Sequence, residues 1–152
     1  LIERADAEVR LTTSSACTLA GVWLNRGVGT VFSVGDSAVF IVRQGAIKRL
    51  TPESRGTGLR TFVGMGAGVR PSVALSTMPF EAGDVFLIGS DGIFDAVPPG
   101  DLAVLSDSPD ALLPAVTHRL VDHGHDDDAT LVYVRVLGIE ADPWQERAMQ
   151  DL

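Results

Sequence analysis

The sequence predicts an α+β sandwich in which antiparallel strands dominate and most helices come late. In the first half of the 152 residues, apolar and β-branched segments of strand length follow one another, separated by short turns. A clear amphipathic helix pattern comes only after residue 100. Because consecutive strands joined by short turns pair most simply as antiparallel neighbours, we expect the early strands to form a meander.

The first 50 residues predict one helix and four strands. Residues 1–10 are charged and compatible with a helix. Turn residues separate the strands, and Gly45 can take the positive φ that a tight hairpin needs. The strands are predicted at 17–24, 28–34, 38–42 and 46–50.

The second half predicts three more strands and two or three helices. Residues 51–69 contain too many glycines for a long regular element. The best helix spans 110–122, with Asp110 as its cap after Pro109 and with Pro114 in its first turn. One face of this helix gathers the apolar residues Leu112, Leu113, Val116, Leu120 and Val121. The other elements are strands at 73–78, 85–89 and 130–136, a short helix at 101–105 and a polar tail at 138–152 suited to a final helix.

Net charge and the length of apolar runs argue against nucleic-acid binding and against a membrane-spanning segment. The chain has 12 Lys and Arg against 20 Asp and Glu, a net charge of −8, which argues against a nucleic-acid-binding surface. No apolar run approaches the ~20 residues of a membrane span, so we expect no membrane segment in this chain. The single cysteine, Cys17, fits a reducing compartment, and a cytoplasmic location is the default expectation.

Acidic residues stand next to three of the predicted strands. Asp36 follows the strand 28–34, Asp91 follows the strand 85–89, and residues 126–128 come just before the last strand. Carboxylates at the ends of neighbouring strands converge at one sheet edge, where a hard cation such as Mg²⁺ or Mn²⁺ relieves their repulsion. Such a centre suits phosphate chemistry. The alternative is that these residues serve only as turn or solvated-loop residues.

Three motifs, in order along the chain, resemble the metal-dependent serine/threonine protein phosphatases, the PPM or type 2C family. They are VGDS at 34–37, GDVFLIGSDGIFD at 83–95 and DDAT at 127–130. The resemblance covers about residues 11–136 and implies a four-layer α–β–β–α sandwich with two antiparallel sheets. We therefore expect a partial PPM-type phosphatase domain at 1–137 and a C-terminal tail at 138–152. The family's N-terminal part, roughly a third of a complete phosphatase, is not matched.

The resemblance also implies the site. Asp91 and Asp127 correspond to metal ligands of the family's two-metal centre, and Asp36 and Asp95 to ligands of a third metal. The implied cofactors are two or three Mn²⁺ or Mg²⁺ ions, and the implied reaction is attack of a metal-activated water on phosphoserine or phosphothreonine. A phosphorylated protein is the implied substrate, with a cognate Ser/Thr kinase system as the opposing partner.

Departures from the family pattern leave a second function open. The family's phosphate-binding Arg and its metal-bridging Asp-Gly-x-Gly-Gly motif are absent from the sequence, Ala38 replaces a usual Arg, and Asp128 replaces a usual Asn. The segment where the family carries a substrate-proximal flap is short. The alternative to a phosphatase is therefore a pseudophosphatase, a non-catalytic module that binds a phosphoprotein or regulates a partner.

Overall fold

The computed structural model describes residues 2–13, 15–53, 61–64, 71–124 and 128–139. These ranges contain four helices and seven strands. Every predicted strand is present, whereas the helix α2 was not predicted from the sequence. The elements are α1 (Ile2–Thr12), β1 (Leu19–Asn25), β2 (Val28–Val34), β3 (Ala38–Arg43), β4 (Ala46–Arg49), β5 (Ala74–Pro79), β6 (Val85–Gly89), α2 (Asp91–Ala96), α3 (Pro99–Leu105), α4 (Pro109–Asp122) and β7 (Leu131–Arg135).

The strands form two antiparallel sheets. The outer sheet has the order β1-β2-β5, and the inner sheet has the order β4-β3-β6-β7. The predicted single meander is wrong, because the chain leaves the outer sheet after β2 and enters the inner sheet at β3. The physical reason is that β3 and β6 are apolar on both faces, so each needs a packed layer on both sides.

Alternating side chains of β3 fill two separate cores. Val39 and Ile41 face the outer sheet and share a core with Phe86 of β6 and with Val31 of the outer strand β2. The other face of the inner sheet packs against the helices, and its core contains Ala38, Phe40, Val42, Leu87, Ile93, Leu102, Leu112 and Val116. Two antiparallel sheets with helices against the inner one confirm the predicted fold class.

Helix α4 corrects three details of the sequence interpretation. Its N-cap is Ser108, whose carbonyl accepts the first helical hydrogen bonds, so Asp110 lies in the first turn instead of capping it. Pro114 lies inside the helix and not in its first turn. Leu112 and Val116 are buried, but Leu113 and Val121 are 70% and 74% exposed, so the buried face is narrower than predicted.

The N-terminal helix α1 is attached through one buried carboxylate. Asp6 accepts a hydrogen bond of 2.8 Å from the backbone N–H of Gly64 and pairs with Arg10 at 3.1 Å. Cys17 does not belong to β1 as predicted, but forms an isolated bridge with Val63. This bridge ties the segment between α1 and β1 to the turn at Gly64.

Two further predictions concern the chain's end and the membrane. Gly138 and Ile139 lie in neither a helix nor a strand, and the rest of the predicted tail helix lies outside the described residues. Within the ranges that the structure describes, no helix is long and apolar enough to cross a membrane.

Candidate metal centre

Strand register brings Asp36, Asp91 and residues 128–130 to one edge of the inner sheet, here called the site edge. Gly89, the last residue of β6, is paired with Ala38 at the start of β3 and with Leu131 at the start of β7. Asp36 lies two residues before Ala38, and Asp91 lies two residues after Gly89. The strand ends next to Asp36 and Asp91 are therefore neighbours in the sheet, and a metal site formed by the carboxylates stays a prediction.

Hydrogen bonds beyond the strand ends hold the 90–92 turn against the residues before β7. The backbone N–H of Ser90 donates to the carbonyl of Thr130 at 3.1 Å, and the N–H of Thr130 donates to the Ser90 hydroxyl at 3.1 Å. A Cβ built on Gly92 would lie 3.1 Å from the carbonyl oxygen of Asp128, so glycine permits this close approach. Asp91 is thereby placed beside residues 128–130.

Helix α2 carries two of the candidate ligands. It begins at Asp91, separated from β6 only by its N-cap Ser90, and Oδ1 of Asp91 accepts a hydrogen bond of 2.9 Å from the N–H of Gly92. Asp95 follows one turn later, on the same side of the helix. Both carboxylates are exposed, so they are free to face a cation from solvent.

Asp36 lies in the corner where the chain crosses between the sheets. Gly35 has φ +101°, and a Cβ on it would lie 2.5 Å from the Thr18 methyl carbon, so only glycine fits this turn. The hydroxyls of Thr18 and Ser37 lie 2.7 Å apart. The half-buried Asp36 therefore lies between two residues, Gly35 and Ser37, that both contact Thr18, the residue just before β1.

Arg49 provides a positive charge near this corner. Its guanidinium lies 5.6 Å from the centre of the Phe40 ring, and its Nε donates to the carbonyl of Thr51 at 3.2 Å. Burial lowers the pKa of Arg49, and the negative charges of Glu53 and Asp36 oppose that shift. Arg49 therefore lies close enough to Asp36 for the two opposite charges to attract each other.

The donor chemistry fits Mg²⁺ or Mn²⁺. Asp36, Asp91 and Asp95 offer carboxylate oxygens only, the ligands that hard cations prefer. The fourth predicted ligand, Asp127, lies outside the described residues. In the described part of the chain, no three His, Cys, Asp or Glu side chains group closely enough to hold a metal ion. Among the described residues, the fold thus brings Asp36 and Asp91 to the same edge of the sheet.

The sequence matches the family described as Stage II sporulation protein E (SpoIIE) over residues 1–137, which is most of the chain. The chain belongs to the SpoIIE family. This membership and the fold confirm the resemblance to the PPM-type phosphatases that the three motifs indicated. A search of curated protein sequences finds no match.

Several solved structures share the fold of this SpoIIE-family chain. The PPM Ser-Thr phosphatase MsPP from Mycobacterium smegmatis is 26% identical with a TM-score of 0.65, covering 90% of this chain and 71% of that one. The catalytic domain of the serine threonine protein phosphatase PstP, solved with two manganese ions, is 20% identical with a TM-score of 0.70, covering 90% and 66%. PppA, a regulatory component of the type VI secretion system in Pseudomonas aeruginosa, is 21% identical with a TM-score of 0.69, covering 88% and 64%.

The SpoIIE-family chain therefore spans less than two thirds of PppA and PstP. Sequence reasoning identified the acidic motifs but not the contacts that hold them, which are the Ser90–Thr130 and Thr18–Ser37 pairs. Small hydroxyl residues beside turns are too common for their sequence to reveal such pairs.

Proposed function

We propose that this chain carries the metal-binding carboxylates of a PPM-type phosphatase that removes phosphate from phosphoserine and phosphothreonine in proteins. One observation supports the proposal above all. The corner at Asp36, the start of α2 at Asp91 and the residues before β7 meet at one edge of the inner sheet. Three separate segments of sequence thus contribute to one end of the sandwich, at the positions where the family resemblance places metal ligands.

In this proposal Asp91 and Asp127 hold the catalytic ions, and Asp36 and Asp95 hold a third. When bound, Mn²⁺ or Mg²⁺ lowers the pKa of a water molecule and neutralises the phosphoryl oxygens. The chain's own residues position the ligands: the paired hydrogen bonds between Ser90 and Thr130 keep Asp91 beside β7. The manganese ions in the PstP structure support this choice of metal.

The proposed substrate is a phosphorylated protein. A cognate Ser/Thr kinase would add the phosphate that this reaction removes. Two proteins of the same fold, the Ser-Thr phosphatase MsPP and the serine threonine protein phosphatase PstP, support this choice of substrate. The exposed position of Asp91 and Asp95 suits a phosphorylated side chain on the surface of another protein, because such a substrate needs an accessible site. A cytoplasmic location remains the default expectation.

Hydrolysis of a small aryl phosphate and of a phosphothreonine peptide tests the proposal. We expect turnover with Mn²⁺ and none with chelator. Asp91→Asn should lower the rate of hydrolysis by more than about 100-fold, which exceeds the usual effect of removing a residue that only supports a metal ligand. The matched control is Asp107→Asn, which removes an equal charge from a residue that is 90% exposed. Equal activity of Asp91→Asn and Asp107→Asn would contradict the assignment of Asp91.

The pseudophosphatase alternative makes a different prediction for the same samples. A non-catalytic chain binds Mn²⁺ only in the millimolar range, because two carboxylates make a poor two-metal site. It gives no turnover with either substrate, yet retains binding to a phosphopeptide. Calorimetric titration with Mn²⁺ alongside the assay therefore separates the two functions.

A further inference from the structure

A pair of hydroxyl groups connects the two sheets at the site edge. Thr18 directly precedes β1 of the outer sheet, and Ser37 directly precedes β3 of the inner sheet. Their oxygens lie 2.7 Å apart although the residues are 19 positions apart in sequence. At the opposite end of β3, Nη2 of Arg43 donates to the carbonyl of Pro79 at 3.2 Å and also joins the two sheets. Hydrogen bonds thus join the two sheets at both ends of β3.

Thr18 also packs against the backbone on the other side of Asp36. A Cβ on Gly35 would lie 2.5 Å from the methyl carbon of Thr18 and 2.8 Å from its Cβ. The side chain of Thr18 therefore contacts Gly35 with its carbon atoms and Ser37 with its hydroxyl. Asp36 lies between these two contacts, so its backbone has little freedom to shift.

We propose that Thr18 is a positioning residue for the metal centre, fixing Asp36 through its simultaneous contacts with Gly35 and Ser37. This inference rests on the proposed function, because it takes Asp36 as a metal ligand. Thr18 itself holds no metal in this scheme. Its role resembles that of the outer hydrogen-bonding partners that orient ligands at other metal sites, whose removal costs about 10–100-fold in metal affinity.

Mn²⁺ affinity of the folded full chain is the direct test. It is measured by calorimetry and by paramagnetic broadening of amide signals, at a temperature where circular dichroism shows every variant folded. Thr18→Val removes the hydroxyl but keeps a branched side chain, and we expect about a 10-fold loss of affinity. Thr18→Ser keeps the hydroxyl and the Cβ atom that faces Gly35, and we expect an affinity within about 2-fold of the unchanged chain.

A double-variant cycle separates positioning from general stability. In an Asp36→Asn background, Thr18→Val should cause no further loss of Mn²⁺ affinity, because the ligand that it positions is already gone. A lower melting temperature for Thr18→Val with unchanged Mn²⁺ affinity would overturn the inference and leave the proposed function intact. Unchanged affinity in Asp36→Asn itself, with Asp91→Asn still impaired, would overturn both the ligand role of Asp36 and the inference. Absence of Mn²⁺ binding in the unchanged chain would overturn the proposed function as well.

Discussion

Arg43 holds the buried carboxylate of Asp84 with two parallel hydrogen bonds, from Nε to Oδ1 at 2.7 Å and from Nη2 to Oδ2 at 2.6 Å. Asp84 is 1% exposed, whereas Arg43 is 36% exposed. The backbone N–H of Glu81 donates a further hydrogen bond of 2.9 Å to Oδ2 of Asp84. The pair therefore fixes the turn between β5 and β6 against the end of β3, far from the site edge.

Removing the Arg43 side of this pair should destabilise the fold. Arg43→Met leaves the Asp84 carboxylate buried without its cation, and we expect a loss of about 3 kcal/mol, the low end for a buried pair because Arg43 is partly exposed. Urea denaturation measures the free energy of unfolding. The control is Arg119→Met, which removes the exposed ion pair with Asp101 and should cost less than about 1 kcal/mol. Equal losses for the two variants would contradict this prediction.

The same carboxylate should shape the stability of the protein in acid. Burial by itself raises the pKa of Asp84, but the hydrogen bonds from Arg43 and Glu81 and the charge of Arg43 outweigh it, so the pKa of Asp84 is lowered. Its unfolded pKa is about 3.9. The stabilisation is therefore fully present above pH 4 or so and is lost as the pH falls from there through the lower pKa of the folded state.

Thermal unfolding from pH 6 to pH 2 measures this loss. Asp84→Asn lacks the titrating group, and it should show a shallower fall in melting temperature below about pH 4. Parallel pH profiles for the two proteins would show that Asp84 does not contribute to the acid sensitivity.

Gly35 should tolerate alanine far less well than a glycine of similar backbone conformation. Gly35 has φ +101° and Gly83 has φ +95°. A Cβ on Gly35 would collide with Thr18, whereas a Cβ on Gly83 would have no atom within 4 Å. Gly83→Ala should cost about 1 kcal/mol from backbone strain alone. Gly35→Ala should cost about 2 kcal/mol more, because the collision displaces packed atoms. Chemical denaturation checks both values, and similar losses would show that the corner relaxes without cost.

Two adjacent leucines of α4 should respond differently to truncation. Leu112 is 3% exposed in the core beneath the inner sheet, whereas Leu113 is 70% exposed. Leu112→Ala should lower the free energy of unfolding by about 3 kcal/mol, through lost burial and a residual cavity. Leu113→Ala should change it by less than about 0.5 kcal/mol. Equal losses of unfolding free energy for the two variants would contradict the difference in burial.

The positions of individual elements were largely readable from local pattern. Residues 28–34 and 85–89 were predicted as strands and form β2 and β6 with the same boundaries. Helix α2 was missed because its six residues are too few to show a helical period. The cap of α4 was misplaced because Ser108 and Asp110 are both good capping residues, and only the backbone geometry distinguishes them.

The acidic residues of the candidate site could be predicted from the sequence, but the hydrogen bonds that hold them in place could not. Asp36 and Asp91 stood out because each follows an apolar strand, and strand register then brought them to one edge. The Thr18–Ser37 contact left no trace in the sequence, since it joins residues of different sheets. Hydroxyl residues that meet across a fold carry no periodic signal.

The sequence by itself determined which segments form strands and helices, and it placed the acidic residues at strand ends. Hydrophobic periodicity and turn residues act over a few neighbouring positions, so a single amino-acid sequence is enough to recognise them. Only the tertiary structure decided that the chain crosses between sheets at Gly35 instead of continuing a meander. That choice depends on burying both apolar faces of β3 and β6 at once, a requirement met by residues distant in sequence.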